Sequence, residues 1–576
     1  MAHLTTIRIF EVVKVESHGT MNIVSSTCNS SMVTKLCNDD EISILGIYPS
    51  GMITGALGRN VQGKLGSQVT YRGILSNKVE HFHNVKYAAD TSGPNRFAPP
   101  KPFIPPPGTI IDASLPVPAC PQIRDPMPSF FSTVEEVSED CPHFHIARPS
   151  VSHLNPKSNL PLVVYNAEGG AIKGSSHDDH ISPDKLISLS VTDGNPIIFV
   201  ALNSRLSIFG FPHLPSLKDE ESLNLGLRDQ RASFEWVREH IREFGGDPNR
   251  ITAYGLSAGG TMTSLQIMAY GGMKDIPFQI VADQVGCGGL VDSEILSCIN
   301  KIFGWTQDDG AMNVDPGHLI QTEEDMITSI KSLVHAMTTE QYAELFDLYP
   351  APDFEEELTN YISQKFAEDP DISVSLFSRF PHLERLLFTC SSIDFGYHMI
   401  EWTQQTLNPT STGVRLYDLN QSALTPLWKG AGMPCVKVSH GSDNDYLFNG
   451  VFPEGQLTEE DNEMSETMAR SLVNFAYTGN PIIEIENTRL ESFKVQVIGG
   501  HHGSGSVGLT DENGHGSTKR NLENESIGTW QQVLSSAEEF SLMSSAKEAE
   551  RKRLIEGEKL FRQCRYINSW ADTLDV

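Results

Sequence analysis

Three short runs carry almost no polar side chains: "LPLVVYN" (Leu160–Asn166), "PIIFVALN" (Pro196–Asn203) and "ITAYG" (Ile251–Gly255). They are apolar at nearly every position rather than at alternate ones, so they read as strands buried on both faces, the pattern of a parallel sheet. Between the second and third runs the period changes. In "LRDQRASFEWVREHIREFGGDP", Phe234, Val237, Ile241 and Phe244 recur at spacings of three and four, giving one apolar helical stripe. Gly245-Gly246 supplies a helix stop, and Asp247-Pro248 a turn towards the next strand. Strand, helix, strand, then a helix after Ser257 is α/β architecture. Near the C-terminal end, "LTEEDNEMSETMARSLVNFAYTGNP" predicts another helix, with Thr458 as N-cap, acidic residues in the first turn and Gly479-Asn480-Pro481 as the stop.

Elsewhere the pattern fades. Residues 1–60 show no sustained periodicity and read as an irregular extension, leaving 61–576 as a single domain. The proline density of "RFAPPKPFIPPP" blocks ladder hydrogen bonds and implies an extended surface path. A Gly/Ser/His-rich stretch near 500–527 reads as a mobile loop, and its histidines lack the regular spacing of metal ligands. With 576 residues, 39% of them hydrophobic, the chain can bury a large core. No apolar run reaches the roughly 20 residues that a membrane-spanning helix needs. The formal net charge of −30 argues against nucleic acid and anionic membranes as partners, because their phosphates would be repelled.

The compartment signals conflict. The first residues, "MAHLTTIRIFEVVKVESHG", lack a clean signal-peptide core and point to the cytosol. Among nine cysteines, however, Cys120 and Cys141 bracket one loop, while Cys287 and Cys298 bracket a shorter one. Such local pairs suit disulfides in an oxidising compartment, with reduced buried thiols as the other reading. Asn29, Asn420 and Asn524 each open an Asn-x-Ser sequon that permits glycosylation.

The chemistry begins at Gly255-Leu256-Ser257-Ala258-Gly259, a G-x-S-x-G pattern lying between a strand and a helix. At such a turn the serine sits in strained backbone, and the glycines remove Cβ atoms that would clash. The turn exposes Oγ and aims the amides at the start of the helix towards a developing oxyanion. A serine hydroxyl is a poor nucleophile without a base, so a histidine and a carboxylate are required.

Several stretches together resemble the type-B carboxylesterase family, the cholinesterase-like branch of the α/β-hydrolases. The likeness covers roughly residues 60–500. It rests on "RFAPPKP", "SEDC", the long run Asn224–Gly260, "HGSDNDYLF" (His440–Phe448) and "NFAYTGNP". The resemblance implies an α/β-hydrolase fold: a central, mostly parallel sheet flanked by helices. It implies Ser257 as nucleophile, His440 as general base and then acid, and Asp309 as the orienting carboxylate, with Asp308 its nearest competitor. The order Ser, Asp, His is the one expected of α/β-hydrolases. Oxyanion donors would be the amides of Gly169, Gly170 and Ala258. The implied activity is hydrolysis of a small carboxylic ester through an acyl-enzyme, with neither metal nor organic cofactor required. Family and cysteine pattern together favour secretion.

Departures from the family pattern sharpen the expectations. Ala167 stands where the family usually has histidine, and Glu168 where it has its first oxyanion-loop glycine. A carboxylate there opposes the developing negative charge unless its side chain points away, and is expected to narrow the substrate range or weaken turnover. Asp309 follows Ser257 by only 52 positions, which raises the expectation of a shortened middle section with a missing strand and an open pocket. Choline esters fit poorly, because the loop between Cys120 and Cys141 offers Phe130 and Phe131 but no tryptophan for a cation–π contact. The rival reading is a cholinesterase-like binding protein, folded but catalytically silent or weak.

Overall fold

The apolar runs form the centre of one large sheet. A computed structural model describes residues 61–65, 69–127, 130–150, 159–219, 222–272, 274–284, 300–306, 308–309, 322–333, 337–350, 414–430, 436–448, 452, 457–481, 493–498, 527–532 and parts of 563–569. The extension at 1–60, the Gly/Ser/His-rich stretch up to 526, and Cys287, Cys298, Asn29 and Asn524 lie outside the described residues.

The strands are β1 (Val61–Leu65), β2 (Val69–Ser76), β3 (Val79–Lys86), β4 (Thr109–Asp112), β5 (His143–Pro149), β6 (Leu160–Asn166), β7 (Ile198–Leu202), β8 (Gly246–Leu256), β9 (Ile280–Gln284), β10 (Asn300–Thr306), β11 (Val414–Leu419), β12 (Phe493–Ile498) and β13 (Ile527–Gln532). Their order is β1-β2-β3-β5-β7-β6-β8-β9-β10-β11-β12-β13, with β4 beside β2. From β7 to β12 every pairing is parallel, and antiparallel strands close both ends. Each residue of β6 and β7 is buried, as runs apolar on both faces require.

Helices cover the two faces. Those nearest the site and its supports are α1 (Asp184–Thr192), α2 (Leu225–His240), α3 (Ala258–Met268), α4 (Ser442–Phe448) and α5 (Glu459–Thr478). The predicted stripe belongs to α2 and the 3₁₀ turn that follows it: Phe234, Val237, Ile241 and Phe244 are all fully buried. Gly245 takes the left-handed conformation (φ 90°) that ends this segment. Helix α5 starts as its sequence predicts. The Thr458 side chain accepts from the amide of Asp461, and Asp461 returns the bond in a capping box, while Gly479 at φ 70° stops the other end.

The expected gap in the middle of the sheet is not found. Strand β9 pairs in parallel with β8 on one side and β10 on the other, from Thr252↔Ile280 to Gly304↔Gln284. A single short strand therefore carries the ladder from β8 to β10, each pairing its backbone groups with β9. Cys120 and Cys141 form the expected disulfide, with Cα atoms 5.0 Å apart. Asn420 is buried beside β11, with its amide donating to Ile498 O, so this sequon is closed to a glycan in the folded chain.

Candidate active site

Ser257 alone makes the turn between β8 and α3, at φ 56° and ψ −128°. A non-glycine residue held there stores on the order of 1–3 kcal/mol of strain, which the surrounding packing must offset. The flanking glycines show how. A Cβ on Gly255 would lie 2.4 Å from the carbonyl carbon of Gly259, and one on Gly259 would lie 2.4 Å from Asn166 O. No side chain fits between strand ends and helix start at those separations. Asn166 Nδ2 donates to Gly259 O at 3.2 Å, and the Gly259 amide donates to Glu168 O at 3.1 Å. These bonds tie the turn to the end of β6 and leave Ser257 half-exposed.

Asp309 and His440 are brought together from segments 131 residues apart. Asp309 lies just past β10, is buried, and its Oδ1 shares a short hydrogen bond with His440 Nδ1. Asp308 is engaged differently: its Oδ2 accepts from the Val438 amide at 3.1 Å, and its own amide donates to Val438 O at 3.0 Å. It braces the loop while Asp309 meets the imidazole. Gly441, the residue after His440, has φ 81°, and a Cβ there would sit 3.5 Å from Leu256 Cδ2 and 3.1 Å from Phe130 Cε1. The His440 turn thus packs against the residue that precedes Ser257.

Helix α4 holds that turn in place. Asn444 Oδ1 accepts from the hydroxyls of Tyr165 at 3.2 Å and Tyr254 at 3.3 Å, one from β6 and one from β8. Tyr417 OH donates to Asp443 Oδ2 at 2.9 Å. Gly304 makes room for the Tyr417 ring, because a Cβ there would lie 2.0 Å from Tyr417 Cζ. Burial pulls the His440 pKa down, but the charge and hydrogen bond of Asp309 more than offset it, so the imidazole titrates above its ordinary 6.5. Burial also pushes the neighbouring Asp443 up to about 6.

Of the three predicted oxyanion amides, one is already occupied. Gly169 N donates to Lys173 O at 2.8 Å, and Lys173 N returns a bond to Gly169 O at 3.1 Å. The amides of Gly170 and Ala258 meet no backbone acceptor among the described residues. The ring of Phe131 packs on Gly169 so closely that a Cβ there would lie 2.3 Å from its Cζ. Glu168 is buried with its side chain directed to α2, where Oε1 accepts from Gln230 Nε2 at 3.1 Å. Burial raises its carboxyl to about 8, so at neutral pH the group is mostly uncharged. Sequence reasoning overlooked Gln230 and Lys173. The signal for Gln230 was its place next to Asp229, which forms a buried pair with Arg205 (Nη2 to Oδ1, 2.7 Å) and so fixes the start of α2.

A model of the carboxylesterase family matches residues 60–286 and 288–530. An inactive carboxylesterase-like protein of Byssochlamys spectabilis is 29% identical over 505 residues, covering 72% of this chain and 83% of that protein. A secreted lipase of Arthroderma benhamiae is 27% identical over 516 residues, covering 73% of this chain and 84% of its own length. The crystal structure of EstA from Aspergillus niger superposes with a TM-score of 0.63 at 18% identity, over 90% of this chain and 99% of that one. With the family match spanning most of the sequence and an α/β-hydrolase fold beneath it, this chain belongs to the carboxylesterase family.

Proposed function

We propose that the protein cleaves carboxylic esters through a covalent acyl-serine. Ser257 Oγ attacks the ester carbonyl, His440 takes the proton, and Asp309 holds the imidazole in the tautomer whose Nε2 can accept it. The alkoxide of the tetrahedral intermediate is received by the amides of Gly170 and Ala258, with α3's N-terminal dipole behind the second. His440 then returns its proton to the leaving alcohol, and water attacks the acyl-enzyme in the same way. The observation that carries the reading is the Asp309–His440 bond on a turn packed beside the strained Ser257 elbow. Phe130 and Phe131 flank the site as half-buried aromatics, which favours small uncharged esters with an apolar acyl or alcohol group. The Cys120–Cys141 disulfide and the secreted lipase relative favour an oxidising compartment.

A second reading, a folded but silent member, draws on the Gly169 amide being engaged by Lys173 and on the relative that bears the name inactive. Loss of one oxyanion donor typically lowers kcat by about 10²–10³. A fluorophosphonate probe separates the two readings. The enzyme is phosphonylated on the Ser257 peptide and protected by prior acylation, whereas a binder stays unlabelled under conditions that modify a reference serine esterase.

A further inference from the structure

Two His-x-His pairs, His81/His83 on β3 and His143/His145 on β5, lie on neighbouring strands well away from Ser257 in sequence. Alternation along a strand places residues i and i+2 on one face. The antiparallel register sets His81 opposite Ala147, so His145 is its diagonal neighbour on that face. Ligand nitrogens of His81, His83 and His145 all lie within 4.8 Å of one another. His177, in the segment after the oxyanion glycines, brings a fourth imidazole: its Nδ1 is 3.4 Å from His83 Nδ1.

We infer that His81, His83 and His145 form a binding site for one zinc-class divalent ion, with the His177 imidazole beside them, built from residues other than Ser257, Asp309 and His440. Two nitrogens bound to one tetrahedral ion at 2.0–2.1 Å stand roughly 3.3–3.4 Å apart. The observed His81 Nδ1···His145 Nε2 separation of 3.1 Å is close to that spacing, and the His83 ligand nitrogen lies within 4.8 Å of both, so it must close in on the ion. The outer contacts suit the role as well. His81 turns its other nitrogen, Nε2, to within 3.1 Å of Asp184 Oδ1 at the start of α1, the carboxylate–histidine arrangement that orients ligating imidazoles. His145 bonds to the Ser176 backbone. His177 Nε2 is buried with no hydrogen-bond partner.

His83 stacks on His145 with ring centroids 4.5 Å apart, and coordination asks it to swing out of that stack, which its half-exposed position allows. The ion would brace β3 against β5, with the chain leading from Gly174 to α1 held through the His145–Ser176 and His81–Asp184 contacts. Ester cleavage does not use it, so the reading is independent of the mechanism above.

The test uses the full chain, stripped with a chelator, incubated with ZnCl₂ and desalted. Expected is one zinc retained per chain, in the parent and equally in Ser257→Ala, with a melting temperature raised by the ion. Loading with Co²⁺ should give the intense visible bands of a four-coordinate site. His83→Gln and His145→Gln, each checked for folding by circular dichroism, should weaken retention at least tenfold, a loss of about 1.4 kcal/mol or more. A parent that retains no zinc and shows no Co²⁺ bands would overturn the proposal and leave a hydrogen-bonded imidazole cluster. Zinc retained equally by both folded variants would also overturn it, because the ion would then sit elsewhere. If neither variant folds, a Co²⁺ spectrum of octahedral form in the parent refutes the site.

Discussion

Replacing Glu168 by glutamine should stabilise the protein, and by an amount that depends on pH. The glutamine keeps an oxygen for Gln230 Nε2, which now donates to Glu168 Oε1 at 3.1 Å, and removes only the ability to ionise. In the folded chain burial raises this carboxyl from its ordinary 4.5 to about 8. A raised carboxyl means that the folded state holds the proton more tightly than the unfolded state does, so folding loses free energy as pH climbs. Below pH 4.5 there is no penalty. From there it grows by about 1.4 kcal/mol per pH unit, reaching about 3 kcal/mol at pH 7, and it levels off near 5 kcal/mol above pH 8. Urea unfolding of parent and Glu168→Gln from pH 5 to 9 should therefore give curves that separate steadily and then run parallel. The same ionisation would put a negative charge next to the oxyanion amides, so the parent's kcat/KM should fall above about pH 8 while the variant's does not. A stability gap that stays constant across the range would refute the reasoning, since it would mean that Glu168 is not buried as a neutral acid.

Other outcomes follow from the same geometry. Asp309→Asn should lower kcat by on the order of 10⁴, because the imidazole loses the partner that fixes its tautomer, whereas Asp308→Asn keeps the acceptor for Val438 N and should leave kcat near the parent's. The acid limb of the kcat/KM profile should have its midpoint above 6.5, since Asp309 raises His440, and in Asp309→Asn that midpoint should move down. Gly304→Ala puts a methyl 2.0 Å from the Tyr417 ring, which should cost about 1–3 kcal/mol in thermal or urea unfolding and loosen the Tyr417–Asp443 contact behind His440.

Much of this arrangement was legible in the chain because it is local. Short runs apolar on both faces read as central strands, and β6 and β7 are buried at every residue. The elbow is written in five consecutive residues, and Thr458 and Gly479 mark both ends of α5 within its own sequence. What the sequence hid depends on long-range placement. The 52-residue interval from Ser257 to Asp309 suggested a missing strand, yet β9 spans it, since a parallel ladder needs only a few residues of partner. Glu168 read as a charge at the oxyanion site because nothing local tells which way its side chain points, and Gln230, 62 residues on, turns it aside. The engagement of the Gly169 amide by Lys173 is a turn detail that composition does not encode. The four histidines of the second cluster come from three separate segments, and only the β3–β5 register gathers them.

The most direct measurement is the mass of the acylated protein. An activated p-nitrophenyl ester mixed with the full chain and quenched in acid during the first turnover should release a burst of p-nitrophenol and leave one acyl group on the peptide containing Ser257. Ester turnover without that adduct, or an intact Ser257 peptide after prolonged exposure to ester and to a serine-directed phosphonate, would contradict the account.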